Sequence, residues 1–168
     1  MKQRNSYDYP LLIVFGFIFF FIYIIQYTDG VSRESAGSIP QLMLPAAIFC
    51  GMYWDDKIGA IFGLVLGSLV DAVSANTICY NSIILMLMGY ISGVLITKII
   101  NNNFRASLIL TLGSALVYYF GYWCINGFKP QYLSQYYIKL VFLTVVASIP
   151  LYWGMKLIIG IRKKMLPN

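Results

Sequence analysis

Histidine is absent from this 168-residue sequence, and acidic side chains are scarce, with six Asp and Glu against twelve Lys and Arg. Charged residues make up 11% of the chain and hydrophobic residues 60%, whereas about a quarter of an ordinary soluble domain is charged. The composition therefore predicts an integral membrane protein. We expect a single transmembrane domain over residues 1–168, because spans of roughly 20 residues each consume most of the length.

The missing residue types also exclude most catalytic chemistry. Without His, neither a Cys–His metal site nor a nucleophile–His pair can form. An aspartyl protease inside the bilayer needs two carboxylates at membrane depth, and only Asp71 lies there. A Gly-rich phosphate loop is missing as well. We therefore expect no enzymatic activity, no metal and no cofactor.

The three cysteines, Cys50, Cys79 and Cys124, form no Cys-x-x-Cys pair. Cys50 lies in an apolar run, where it acts as a small packing residue. Cys79 and Cys124 both fall at predicted outer span ends. A disulfide between them stays open, because the sequence gives no distance between the two residues.

Six apolar segments predict an all-α protein with about six transmembrane helices. The second segment is short and contains Pro40 and Pro45, so we expect it to tilt, to start late or to be partly re-entrant. No small-residue cleavage site follows the first segment, which indicates a retained span rather than a signal peptide. The predicted spans are Leu11–Tyr27, Ile39–Trp54, Ile58–Ala75, Ser82–Ile100, Ala106–Cys124 and Ile138–Ile161.

The distribution of Lys and Arg predicts that both termini are cytoplasmic. Cytoplasmic connections carry an excess of basic residues, and an even number of spans brings both termini to one side. With the N-terminus inside, the inner side holds Lys2, Arg4, Lys57, Lys98, Arg105, Lys156, Arg162, Lys163 and Lys164, and the outer side holds Arg33, Lys129 and Lys139.

The third segment contains the most informative pattern, Gly59-xxx-Gly63-xxx-Gly67-xxx-Asp71. Residues four apart lie along one ridge of a helix, and Gly-xxx-Gly lets a second helix approach backbone to backbone. Gly89-xxx-Gly93 in the fourth segment offers a matching surface. We expect the two spans to pack on each other within the chain rather than to form a homodimer.

Asp71 is the ionisable residue of its span, and it lies about 20 Å along the helix, in the outer part of the membrane. It could serve as a proton or cation site, or as a buried contact for a partner helix. The structural alternative is that it accepts hydrogen bonds from the start of the next helix, near Asn81 and Ser82. We favour the structural role, because no other ionisable residue is available to relay protons. Asp55, Asp56 and Lys57 are expected to form a solvated inner turn.

The stretch GAIFGLVLGSLVDAVSANTICYNSIILMLMGYISG, residues 59–93, resembles the rod shape-determining protein MreD family. The resemblance lies in the glycine-spaced helix ending in Leu69-Val70-Asp71, a short outer turn and a Gly-containing helix. The start of the second span at Ile39-Pro40-Gln41-Leu42 is also similar to the family. Length, six spans and the lack of soluble domains agree.

This resemblance implies a non-catalytic scaffold in the bacterial cytoplasmic (inner) membrane that maintains rod shape during lateral peptidoglycan synthesis. The implied partner is MreC, a single-span protein with an extracytoplasmic domain, with MreB, RodA and a class B penicillin-binding protein in the same machinery. Separately from the resemblance, the twelve Lys and Arg are scattered and terminal rather than clustered on one soluble face. We therefore expect membrane lipid as a partner, at an anionic cytoplasmic surface, and no nucleic acid. The residues expected in helix packing or partner docking are Gly59, Gly63, Gly67, Asp71, Gly89 and Gly93.

The resemblance also implies a fold like the substrate-binding subunits of energy-coupling-factor transporters, which supplies the alternative function of a vitamin-binding subunit. Those subunits usually carry Ala-xxx-Ala in the first span, whereas Leu11–Tyr27 contains no Ala. A channel or proton pathway is a third interpretation, but a single buried acid provides no relay.

Overall fold

The computed structural model describes residues 9–27, 40–74, 79–98, 102–125 and 137–165. Every regular element in these ranges is a helix. Some predicted features lie outside the described part. They are the span ends at Ile39, Ala75 and Ile100, the basic residues of the terminal and outer loops, and the side chains of Arg162, Lys163 and Lys164. The six helices are α1 (Tyr9–Tyr27), α2 (Met43–Tyr53), α3 (Asp56–Ser74), α4 (Tyr80–Lys98), α5 (Phe104–Ile125) and α6 (Ile138–Met165).

Four of these helices are long and apolar enough to cross a membrane. A helix rises about 1.5 Å per residue, so roughly 20 residues cross a hydrocarbon layer of about 30 Å. The chain therefore has the character of an all-α, multi-pass membrane protein. The four stretches are Pro10–Tyr27, Tyr80–Lys98, Phe104–Ile125 and Ile138–Ile161.

The chain divides into two units, residues 1–39 and 40–168. The described part of the first unit is α1, whose 19 residues are almost all aliphatic or aromatic. The second unit contains the other five helices. The predicted glycine stripe, formed by Gly59, Gly63 and Gly67, belongs to the second unit, as does Asp71.

Helix α2 is short and central in the second unit. It begins at Met43, four residues after the predicted start, and its 11 residues reach only about 16 Å. The late start was one of the outcomes expected for this segment. Pro45 lies in the first turn, where its missing N–H has no helical partner to lose. Every side chain from Met43 to Met52 is buried, because α3, α4, α5 and α6 all contact this helix.

Helices α3 and α4 form an antiparallel hairpin. The start of α3 contacts the end of α4, where Gly93 meets Asp56, and the end of α3 contacts the start of α4, where Gly67 meets Ser82. α3 begins at Asp56, two residues before the predicted start. α4 begins at Tyr80, also two residues earlier than predicted.

Helices α5 and α6 pack on each other and on α2. One face of α5 is buried and contains the polar residues Ser107, Thr111 and Ser114. The buried face of α6 contains Thr144 and Ser148. The opposite faces are exposed and strongly apolar, as expected for helices that face lipid. α6 continues to Met165, four residues beyond its predicted end.

Candidate functional site

The predicted glycine stripe of α3 lies against the backbone of α4. A Cβ atom built at Gly67 would lie 2.5 Å from the Cα of Ser82. One turn earlier, a Cβ at Gly63 would lie 2.6 Å from the carbonyl carbon of Leu85. Real Cβ atoms essentially never come within 3.0 Å of another heavy atom. The glycines therefore allow a backbone-to-backbone contact that no other residue type would permit.

Three helices meet at the other end of the stripe. A Cβ at Gly59 would lie 2.6 Å from the Cα of Gly51 in α2 and would overlap the carbonyl oxygen of Gly89 in α4. A Cβ at Gly51 would lie 3.0 Å from the backbone nitrogen of Gly93. Sequence reasoning missed Gly51. The signal that could have found it is Ala47-xxx-Gly51, the same small-residue spacing in the neighbouring helix.

The turn between α2 and α3 closes under the end of α4. A Cβ at Gly93 would lie 2.6 Å from the backbone nitrogen of Asp56. Asp55 organises the start of α3, since its Oδ1 accepts a hydrogen bond from the Asp56 N–H at 2.9 Å and its carbonyl oxygen accepts one from the Gly59 N–H at 3.0 Å. The neighbouring Asp55 side chain, together with partial burial, raises the pKa of Asp56. The two carboxylates are thus part of a helix start rather than only a solvated loop.

Asp71 accepts four hydrogen bonds from the first turn of α4. Its Oδ1 accepts from the backbone N–H of Asn81 at 3.1 Å and from the Asn81 Nδ2 at 2.8 Å. Its Oδ2 accepts from the backbone N–H of Ser82 at 2.8 Å and from the Ser82 hydroxyl at 2.5 Å. A carboxylate offers about four lone-pair positions, so these donors occupy its capacity.

The Asp71 network extends to α5 through Asn81. The Tyr118 hydroxyl donates to the Asn81 Oδ1 at 2.5 Å, and the Tyr80 hydroxyl donates to the Tyr118 carbonyl oxygen at 2.6 Å. Sequence reasoning missed Tyr118, since it identified no spacing that relates α5 to the α3–α4 turn. One continuous set of hydrogen bonds therefore joins the ends of α3, α4 and α5.

A second buried polar cluster fixes the start of α2. The Thr144 Oγ1 on α6 accepts a hydrogen bond from the backbone N–H of Gln41 at 3.3 Å and lies 3.1 Å from the Tyr119 hydroxyl. The Thr144 hydroxyl itself donates to the Leu140 carbonyl oxygen at 2.8 Å. Residues 40–42 are not helical, and such backbone is tolerated at membrane depth only where the protein satisfies it. Thr144 supplies that partner.

The cysteines and acidic residues of the described part form neither a metal cluster nor a disulfide. Among the described residues, no group of three or more His, Cys, Asp or Glu side chains could hold a metal ion. All three cysteines are free thiols, with Cys50 buried, Cys124 half-buried and Cys79 exposed.

The six residues predicted to serve in packing or docking lie together in one seam between α3 and α4. They are Gly59, Gly63, Gly67, Asp71, Gly89 and Gly93.

Comparison of the chain with protein-family models, with curated proteins and with solved structures gives no match.

Proposed function

We propose that this protein is a non-catalytic membrane scaffold of the bacterial cell-elongation complex and maintains rod shape through association with an MreC-like single-span protein. The proposal rests on the resemblance of residues 59–93 to the MreD family. The supporting structural observation is that the most distinctive residues of this stretch are engaged in packing. Asp71 accepts four hydrogen bonds from the first turn of α4, so its carboxylate joins the two helices of the α3–α4 hairpin.

The same observation changes how a partner would bind. The glycine stripe is covered by α4 and by α2, so a partner would not contact it directly. Its role would be to hold together the helices whose outer faces the partner contacts. The available surface consists of the exposed apolar faces of the helices. A single-span partner would dock on such a face, with MreB, RodA and a class B penicillin-binding protein joining indirectly.

We further propose that the protein spans the cytoplasmic membrane six times with both termini in the cytoplasm. The short helix α2 would cross together with the non-helical residues 40–42 that precede it. In the described part of the second unit, four exposed basic residues lie at the end where α3 and α5 begin: Lys57, Lys98, Arg105 and Lys156. Lys139 lies at the opposite end. This asymmetry agrees with the charge bias expected of a cytoplasmic side.

Co-expression tests the proposal directly. We would co-express the tagged chain with the MreC-like protein of the same bacterium and, in parallel, with an MreC chimera that carries an unrelated transmembrane helix. The native partner should co-purify and the chimera should not. Depletion of the protein should turn rod-shaped cells round. A cell that keeps its rod shape after depletion, together with no co-purification, would overturn the proposal.

The solute-binding alternative is favoured by the polar residues buried between α5 and α6. However, the hydroxyls of Thr111, Thr144 and Ser148 each donate to a carbonyl of their own helix, so their donors are already used. Native mass spectrometry of the purified protein separates the two functions. A stoichiometric bound vitamin would support a transporter subunit, and its absence would favour the scaffold.

A further inference from the structure

Aromatic and basic side chains meet at the end of the second unit where α5 begins. The rings of Phe104 and Trp153 have centroids 6.3 Å apart, and Phe104 and Tyr152 have centroids 5.3 Å apart. The Lys156 Nζ lies 5.3 Å from the centroid of the Trp153 ring. Arg105 follows Phe104 directly and is exposed. Lys156 therefore lies against this aromatic pair, and Arg105 is the exposed residue next to it at the start of α5.

The contacts around this pair fix its position relative to α2. Asn102 Nδ2 donates to the Met52 carbonyl oxygen at 3.0 Å, which holds the start of α5 against the end of α2. The Tyr152 ring packs edge-on against Phe49, with centroids 5.9 Å apart. The aromatic residues beside Lys156 are thus packed against α2.

Basic residues outnumber acidic ones at this end of the second unit, where Asp55 and Asp56 are the acidic residues of the described part. The sequence contains no Asp or Glu after Asp71, yet it contains eight Lys and Arg there. Six of those eight fall at or beyond this end of the helices: Lys98, Arg105, Lys156, Arg162, Lys163 and Lys164. This excess of positive charge favours a negatively charged partner.

Apolar surface continues from the charges along α6. From Lys156 toward the middle of the helix, the exposed apolar side chains are Trp153 at 52%, Ile149 at 36% and Val146 at 44%. A cation–aromatic pair beside exposed aliphatic side chains matches a molecule with an anionic head and an apolar tail. Free phosphate would use the charges alone and would leave the apolar surface unused.

We propose that Arg105, Lys156 and Trp153 form a binding site for the phosphate headgroup of an anionic phospholipid. Arg105 and Lys156 bind the phosphate oxygens, and the acyl chains lie along the α6 face formed by Trp153, Ile149 and Val146. Basic pockets between transmembrane helices are a known means of recognising anionic lipid headgroups. This inference is independent of the proposed scaffold function.

Trp153 itself provides the probe. Replacing Trp54 and Trp123 by Phe in the full-length protein leaves Trp153 as the sole tryptophan. We would reconstitute this protein in vesicles and compare quenching by brominated phosphatidylglycerol with quenching by brominated phosphatidylcholine. Anionic lipid should quench more strongly at equal density. The ratio of the two values cancels any direct effect of a substitution on Trp153 emission.

Two charge substitutions and one matched control define the site. Lys156→Gln and Arg105→Gln should each lower the preference for anionic lipid by roughly fivefold, because each basic residue near the surface contributes to the attraction. Lys139→Gln removes the same charge from the opposite end of α6 and should leave the ratio unchanged. Circular dichroism would verify that each variant retains its helices.

The remaining outcomes overturn the proposal. Equal quenching by the two lipids in the parent protein would show that no anionic site surrounds Trp153. A loss in Lys139→Gln as large as that in Lys156→Gln would indicate general charge attraction rather than a site. Displacement of the lipid by inorganic phosphate at equal concentration would identify the ligand as free phosphate.

Discussion

Ser82 binds Asp71 through two groups at once, its backbone N–H at 2.8 Å and its hydroxyl at 2.5 Å from the same carboxylate oxygen. Asn81 does the same at the other oxygen. The first N–H groups of a helix have no partner within the helix, and the helix dipole favours a negative charge there. Asp71 therefore caps α4 from the last turns of α3, across a short connection.

Replacing Asp71 by Asn should destabilise the protein by about 3 kcal/mol. The amide offers one acceptor oxygen instead of two, and its NH₂ group faces donors, so buried donors lose their partner at roughly 1–3 kcal/mol each. For a chain of this size the apparent Tm should fall by about 10 °C. Thermal unfolding in detergent, followed by circular dichroism, measures the change.

Ser68→Ala is the control for this substitution. Ser68 is exposed, and its hydroxyl donates to the Leu64 carbonyl of its own helix. It also lies 3.3 Å from the Ser82 hydroxyl, but that hydroxyl keeps its shorter bond to Asp71 when Ser68 is replaced. Loss of the Ser68 hydroxyl should change stability by about 0.5 kcal/mol or less. An Asp71→Asn variant that is as stable as Ser68→Ala would contradict the capping role.

Tyr118→Phe should destabilise the protein by about 1 kcal/mol, because it removes the donor to the Asn81 Oδ1. The effect should shrink in the Asp71→Asn background, since both residues act through Asn81. Tyr90→Phe is the matched control, because Tyr90 is 45% exposed on α4. Chemical or thermal unfolding of the parent protein, the two single variants and the double variant gives the coupling. Additive losses would show that Tyr118 acts outside the network.

The glycine seam is tested by a pair of identical substitutions. Gly63→Ala places a Cβ within 2.6 Å of the Leu85 carbonyl carbon, so α3 and α4 must separate, at a cost of about 1–3 kcal/mol or more. Gly113→Ala meets no atom within 4 Å and should stabilise α5 by up to about 1 kcal/mol through helix propensity. Thermal unfolding in one detergent compares the two. Equal stability of both variants would mean that the contact at Gly63 is not tight.

The sequence predicted tertiary contacts best where the residues that make them recur at a regular spacing along one helix. A four-residue spacing in α3 and a matching spacing in α4 define two smooth ridges, and the structure packs those ridges on each other. The carboxylate at the end of the stripe lies within reach of the next helix because the connection is short. Gly51 has the same small-residue spacing from Ala47, but the prediction for this segment was based on its short length and its two prolines.

Tyr118 and Thr144 were out of reach for a different reason. Their hydrogen bonds join residues 37 and 103 positions apart in sequence. No spacing within a helix encodes such a pairing, because it depends on how α5 and α6 rotate and tilt around α2. An apolar segment of 16 residues predicts a span, while the position of its first helical turn depends on a side chain from α6.

Thr144→Val should loosen the start of α2. Valine keeps the shape of threonine but removes the hydroxyl that accepts the Gln41 N–H at 3.3 Å and contacts the Tyr119 hydroxyl. A buried amide without an acceptor costs about 1–3 kcal/mol, and in lipid the cost cannot be relieved by water. Hydrogen–deuterium exchange with mass spectrometry should therefore show faster exchange in a peptide covering residues 40–46, with the α3–α4 hairpin unchanged.

Thr111→Val distinguishes this effect from a general loss of buried polarity. Thr111 and Thr144 are both fully buried, but the Thr111 hydroxyl donates to the Ser107 carbonyl of its own helix. That carbonyl keeps its place in the helix when the hydroxyl is removed, so Thr111→Val should not accelerate exchange at residues 40–46. Similar acceleration in both variants would mean that the start of α2 depends on packing in the α5–α6 region rather than on the Thr144 hydroxyl.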